Sequence, residues 1–191
     1  MSGPVQAEPL SHIPKDEGVP VAGYLIMFIG VLGVAYGITA LWFGMREVME
    51  VGGFCAEGGA YEIRQPCPDR AELLMLTGIP AGVIGLFVAL VGCAKSGRGA
   101  AGLLLLGWPA LFISLGWNFI EYAINPPEGM GSTVGWWICG VLFALMGIPA
   151  LFVIPSLVKG IQPDRRNIIL GVFLAAIAAG ILVGMWVADK A

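Results

Sequence analysis

MREVMEVGGFCAEGGAYEIRQPCPDRAE, residues 45–72, is the longest polar interval between two apolar blocks, and its reading decides how the rest of the chain is arranged. It holds Cys55 and Cys67 among turn-forming Gly and Pro residues. A zinc site calls for four ligands, whereas this stretch offers two thiols and no histidine, and a redox dithiol is usually Cys-x-x-Cys. The pair is therefore expected as a structural disulfide facing an oxidising compartment. Closing a loop of about a dozen residues restricts the unfolded chain by roughly 3 kcal/mol. Gly52-Gly53-Phe54 and Gly58-Gly59-Ala60-Tyr61 carry aromatic tips on the stapled frame, so Phe54, Tyr61 and Arg64 are candidate contact residues.

Outward from this stretch the sequence is apolar. Hydrophobic residues make up 58% of the chain and charged ones 12%, against about 25% charged in a soluble domain. A helix needs about 20 apolar residues to cross the hydrocarbon core, and five blocks qualify: 21–44, 73–94, 100–123, 134–158 and 167–188. The blocks are continuous, while barrel strands alternate over about ten residues. The expected fold is an all-α integral membrane protein of the cell membrane, with one five-helix domain over residues 21–188. Residues 45–72 are its outer loop and residues 1–20 a flexible cytoplasmic tail. The first block is about twice the length of a signal-peptide core, so it is expected to stay as an anchor.

Three features orient the bundle. Basic residues favour the cytoplasmic side; Lys95 and Arg98 lie in the second loop, and Lys159, Arg165 and Arg166 in the fourth. The first and third loops lack a basic excess, and the first holds the cysteines. Trp42, Trp117, Trp136, Trp137 and Trp186 then fall near the outer ends of their spans, where the headgroup layer suits an indole. Together these predict the N-terminus inside and the C-terminus outside. Trp108 sits deeper.

Gly78-Ile79-Pro80-Ala81, Gly107-Trp108-Pro109-Ala110 and Gly147-Ile148-Pro149-Ala150 share a pattern that predicts kinked helices. Small-xxx-small pairs recur at Gly33/Gly37, Gly78/Gly82, Ala81/Gly85, Gly140/Ala144 and Ala176/Gly180/Gly184. In lipid such pairs allow the close backbone approach that drives helix association. The richest stripe, in the fifth span, is also a candidate contact with a partner chain.

Little of the sequence looks catalytic. His12, in the tail, is the one histidine, which excludes bis-histidine haem, histidine-based zinc sites and a Ser-His-Asp triad within the spans. A net charge of −3 without basic runs argues against nucleic acid as a partner. No cofactor or metal is expected. Cys93 and Cys139 are expected as free buried thiols. Lys95-Ser96-Gly97-Arg98-Gly99 is a basic turn able to touch lipid phosphates, although topology alone accounts for it. One polar face stands out: Ser114, Asn118 and Glu121 lie four and three apart on the third span. Glu121 can reach headgroups beside Tyr122, join Asn118 in interhelical hydrogen bonding, or serve transport.

The leading expectation is a non-catalytic membrane protein acting through contacts, as an accessory or assembly subunit of a larger complex. The alternative is a small oligomeric transporter or channel using the polar face of the third span. Partners are the lipid bilayer and other membrane subunits or further copies of the chain.

Overall fold

Within a bilayer every backbone N–H and C=O must be satisfied inside its own segment, which makes helices of long apolar blocks. A computed structural model describes residues 21–53, 55, 66–97, 99–128 and 132–191. Its helices are α1 (Val21–Glu50), α2 (Asp69–Ser96), a 3-10 helix (Ala100–Leu106) leading into α3 (Gly107–Ile124), α4 (Val134–Leu151), α5 (Ile154–Lys159) and α6 (Pro163–Lys190). These form five apolar segments of membrane-spanning length: the chain is a multi-pass membrane protein.

The first span differs from expectation in a way that matters for the site. The outer loop was expected to begin at residue 45, but α1 continues to Glu50. Gly44 does not break the helix; it packs against the side chains of Leu74 and Met75 and the carbonyl of Ala71. The break comes at Gly52 and Gly53, whose φ angles of +88° and +74° only glycine adopts readily. Their N–H groups donate to the carbonyls of Met49 (2.9 Å) and Val48 (3.0 Å), capping the last turn. At the far side of the loop, α2 starts at Asp69. Cys55 and Cys67 are disulfide-bonded, with Cα atoms 4.7 Å apart. Residues 1–20, including His12, lie outside the described residues, as do Phe54, Tyr61, Arg64 and Arg98.

The three proline motifs have three outcomes. Pro80 lies inside α2, which stays one helix. Pro109 falls in the first turn of α3, just after the 3-10 helix passes into the α-helix. Pro149 precedes the end of α4, and the fourth span resumes as α5 after a turn.

Helix α1 is the hub. Antiparallel α2 covers one face along a glycine seam: a Cβ on Gly37 would stand 2.7 Å from the Gly78 carbonyl and from Gly82 Cα, and one on Gly85 2.8 Å from the Gly30 carbonyl. Parallel α6 covers a second face, where a Cβ on Gly180 would meet the Leu32 carbonyl at 2.5 Å and one on Gly184 would meet Thr39 at 2.7 Å. Ala176 of the same stripe is fully buried. The small residues of the fifth span are thus used against α1 within the chain. Helix α3 lies along α1 and pairs antiparallel with α4 through Gly116, Gly140 and Gly147, the two buried residues of α4 being Gly140 and Gly147.

The largest buried cluster lies at the end opposite the disulfide, where Met27 and Val31 of α1 meet Ala89 and Cys93 of α2, Leu103, Ile161, and Ile169 and Phe173 of α6. Away from the loop end, among the described residues, the polar cross-links between spans include Tyr36 donating to Thr77 Oγ1 (2.8 Å) and the Trp108 indole donating to the Met146 carbonyl (3.0 Å). Cys93 is a buried free thiol, whereas Cys139 is only half-buried because the helix carrying it packs on α3 along its glycines. The outward faces carry exposed Phe87, Leu145, Leu174 and Leu182, the surface a bilayer covers.

Candidate functional site

Helices α1 and α3 run side by side in the same direction, so the polar face of α3 comes level with the last turns of α1. Trp42, Arg46 and Glu50 are four apart and share the facing side of α1. Arg46 forks onto Glu121: Nη1 donates to Oε2 at 2.6 Å and Nη2 to Oε1 at 3.1 Å. This bidentate geometry suits a planar guanidinium facing a carboxylate. Nη1 also reaches Asn118 Oδ1 at 3.5 Å, and Asn118 Nδ2 donates to the Trp42 carbonyl at 3.0 Å. Asn118 is 0% exposed, and both ends of its amide are engaged on α1.

Aromatic rings complete the clasp. The Arg46 guanidinium carbon lies 4.9 Å from the Trp42 ring centroid and 5.2 Å from that of Tyr122, so the cation has a π face on two sides. The Tyr122 hydroxyl donates to Glu50 Oε1 (3.1 Å) and lies 3.4 Å from the Arg46 carbonyl. Its ring meets Trp136 of α4 edge-on, with centroids 5.9 Å apart. Trp136 in turn lies against Gly53, where the disulfide-closed loop leaves α1. One turn away, Arg70 of α2 approaches Glu47 at 3.4 Å.

Above the clasp, towards the loop end, Arg46, Glu50, Glu121, Tyr122, Asn125 and Pro127 line a pocket of about 330 Å³. With Arg46 and Glu121 compensating one another, Glu50 is its surplus negative charge. Below the clasp lies an apolar cleft of about 570 Å³ between α1, α3 and α6, walled by residues such as Val34, Ile38, Ala110, Phe173 and Ile177. Its two hydroxyls are turned onto their own helices: Thr39 donates to the Ala35 carbonyl (2.8 Å) and Ser114 to the Leu111 carbonyl (2.9 Å). Trp42 and Ser114 also line a second apolar cleft, of about 550 Å³, on the α4–α5 side of α3.

The structure therefore divides the polar face of α3. Asn118 and Glu121 come together around Arg46, while Ser114, a turn lower, lines the clefts. Arg46, Glu50, Trp42 and Tyr122 were missing from the sequence-derived candidates. The spacing of Trp42, Arg46 and Glu50 was the available signal, obscured by ending the first span at Gly44. Compared with protein-family models, curated proteins and solved structures, the chain matches none, so the reading of the site rests on its own geometry.

Proposed function

We propose that the protein is a small transporter, working as an oligomer, that moves an apolar or amphipathic solute past the polar face of α3. One observation carries this reading: the Arg46–Glu121–Asn118 clasp stands between an apolar cleft and a polar pocket at the loop end of the bundle. Ionisable residues inside a membrane bundle are costly, pair with one another or face a cavity, and commonly mark solute paths. An ion channel needs a polar-lined, wettable path, and the cleft offers only hydroxyls already bonded to backbone. A solute with an apolar body fits that lining better.

The moving parts follow from the packing. Glycine seams join α1 to α2 and α6, and a separate seam joins α3 to α4. Between these two bodies lies the polar clasp, whose exchange of partners lets the α3–α4 pair rock against the rest, as repeats do in alternating access. The loop with the disulfide faces outward in this scheme, and the N-terminus lies inside. Reconstitution into liposomes tests it: a panel of apolar, cationic and anionic fluorescent amphiphiles is expected to include one whose flux falls in both Arg46→Gln and Glu121→Gln. Fluxes identical to protein-free liposomes across the panel reject transport of these solutes.

A second reading, an accessory subunit acting through contacts, is favoured by the disulfide-closed loop, whose base seats on Trp136. It predicts a stoichiometric partner in a mild-detergent pull-down; a protein recovered alone, in any oligomeric state, rejects it.

A further inference from the structure

The opposite end of the bundle holds a second pocket, of about 590 Å³, that the proposed transport path does not use. Lys95 at the end of α2 and Arg165 in the first turn of α6 line it, with Gln162, Gly97 and Gly99. Among the described residues neither cation pairs with a carboxylate, and the lining contains none. We infer that this pocket binds the phosphate of an anionic membrane lipid, held between Lys95 and Arg165.

Three features support the assignment. First, the two cations come from the ends of different helices, α2 and α6, and line one cavity. A cytoplasmic excess of basic residues requires only that they lie on one side of the membrane, whereas here two cations line one cavity whose lining holds no carboxylate. Second, the walls are fixed. Gly97 has φ +143° and a Cβ there would project to 3.6 Å from Arg165 Cδ and 3.8 Å from Gln162 Oε1, into the space between the cationic walls. Gly99, at φ +86°, packs onto the Gly160 carbonyl and Ile161 so closely that no side chain fits, which ties the second loop to the fourth. Ser96 and Ile161 beneath are buried. Third, the depth is right: Ala94 and Ala101, at the mouth, are exposed at the ends of membrane spans. Basic pockets between transmembrane helices at this level are suited to lipid headgroups. Lys159 and Arg166 lie at the same end, exposed and outside the pocket, so they add attraction for an anionic leaflet without closing on the ligand.

The test is native mass spectrometry of the full chain after exchange with equimolar phosphatidylglycerol and phosphatidylcholine. The wild type is expected to retain phosphatidylglycerol with a preference on the order of tenfold, the effect of one charge-assisted hydrogen bond to the anion gained in the pocket. In Lys95→Gln/Arg165→Gln the preference falls to near unity. In Lys159→Gln/Arg166→Gln, which removes the same charge from the same end, most of it remains. Equal losses in the two double variants would overturn the proposal, because the preference would then be a property of the charged surface alone. Displacement of the lipid by inorganic phosphate at equal concentration would overturn it as well, by removing the lipid as the source of the anion. Each variant's thermal unfolding in detergent separates loss of binding from loss of fold.

Discussion

The clasp between α1 and α3 can be weighed by a double-mutant cycle, Arg46→Leu and Glu121→Leu singly and together. Unit charges about 4 Å apart attract by roughly 4 kcal/mol at an effective dielectric of about 20. Desolvation opposes this, and removing one partner of a fully buried pair costs about 3–5 kcal/mol, while an exposed pair is worth about 1 or less. The side chains of Arg46 and Glu121 are 24% and 34% exposed, between those limits. Glu121→Leu strands Arg46 against two aromatic rings and Asn118 Oδ1, at an expected cost of ~2 kcal/mol; Arg46→Leu strands Glu121 at a similar cost. The double variant removes both charges from the seam, so it should lose less than the sum, with a coupling of ~1.5 kcal/mol. Titration of the purified protein from mild detergent into dodecyl sulfate, followed by tryptophan fluorescence, reads all four corners. Strict additivity, or a Glu121→Leu variant as stable as wild type, would refute the clasp as an energetic link between the two bodies.

Gly37→Val places branched carbon where the Gly78 carbonyl and Gly82 Cα stand 2.7 Å from a Cβ, so folded protein should be nearly lost in detergent size-exclusion, while Gly135→Ala, with nothing within 4 Å, should behave as wild type. Cys55→Ser/Cys67→Ser should abolish the mobility difference between reduced and non-reduced gels and raise protease cleavage in the loop between α1 and α2, the cross-link being worth roughly 3 kcal/mol to that segment. Trp108→Phe removes the indole donor to the Met146 carbonyl and should lower stability by ~1 kcal/mol or less, a typical intramembrane hydrogen bond, in the same unfolding titration.

What could be read beforehand was what is local in sequence. Gly33 and Gly37, or Gly140 and Ala144, announce a packing stripe by spacing alone, and each lies on a helix–helix seam. The shared face of Asn118 and Glu121 is legible for the same reason. Its partner was not, because Arg46 follows Gly44 and appeared to lie beyond the first span. Gly44 is small because Leu74 and Met75 lean on it, and the cap that ends α1 needs two consecutive left-handed residues, which Gly52-Gly53 supplies. Packing and capping glycines look alike until the neighbour is known. The cationic pocket was hidden for a related reason: Lys95 and Arg165 are far apart in the chain, and it is tertiary packing, such as that of Gly99 on Gly160 and Ile161, that brings their loops together.

The position of α1 as the hub has a consequence for biogenesis. Its glycine face can close as soon as α2 enters the bilayer, and α3 can then engage Arg46. The face made by Leu32, Ala35, Tyr36 and Thr39, however, waits for α6, which is synthesised after all the other spans. Throughout that interval this groove on α1 is open to lipid. The face of α1 that receives α6 is therefore the last of its faces to be covered by the chain.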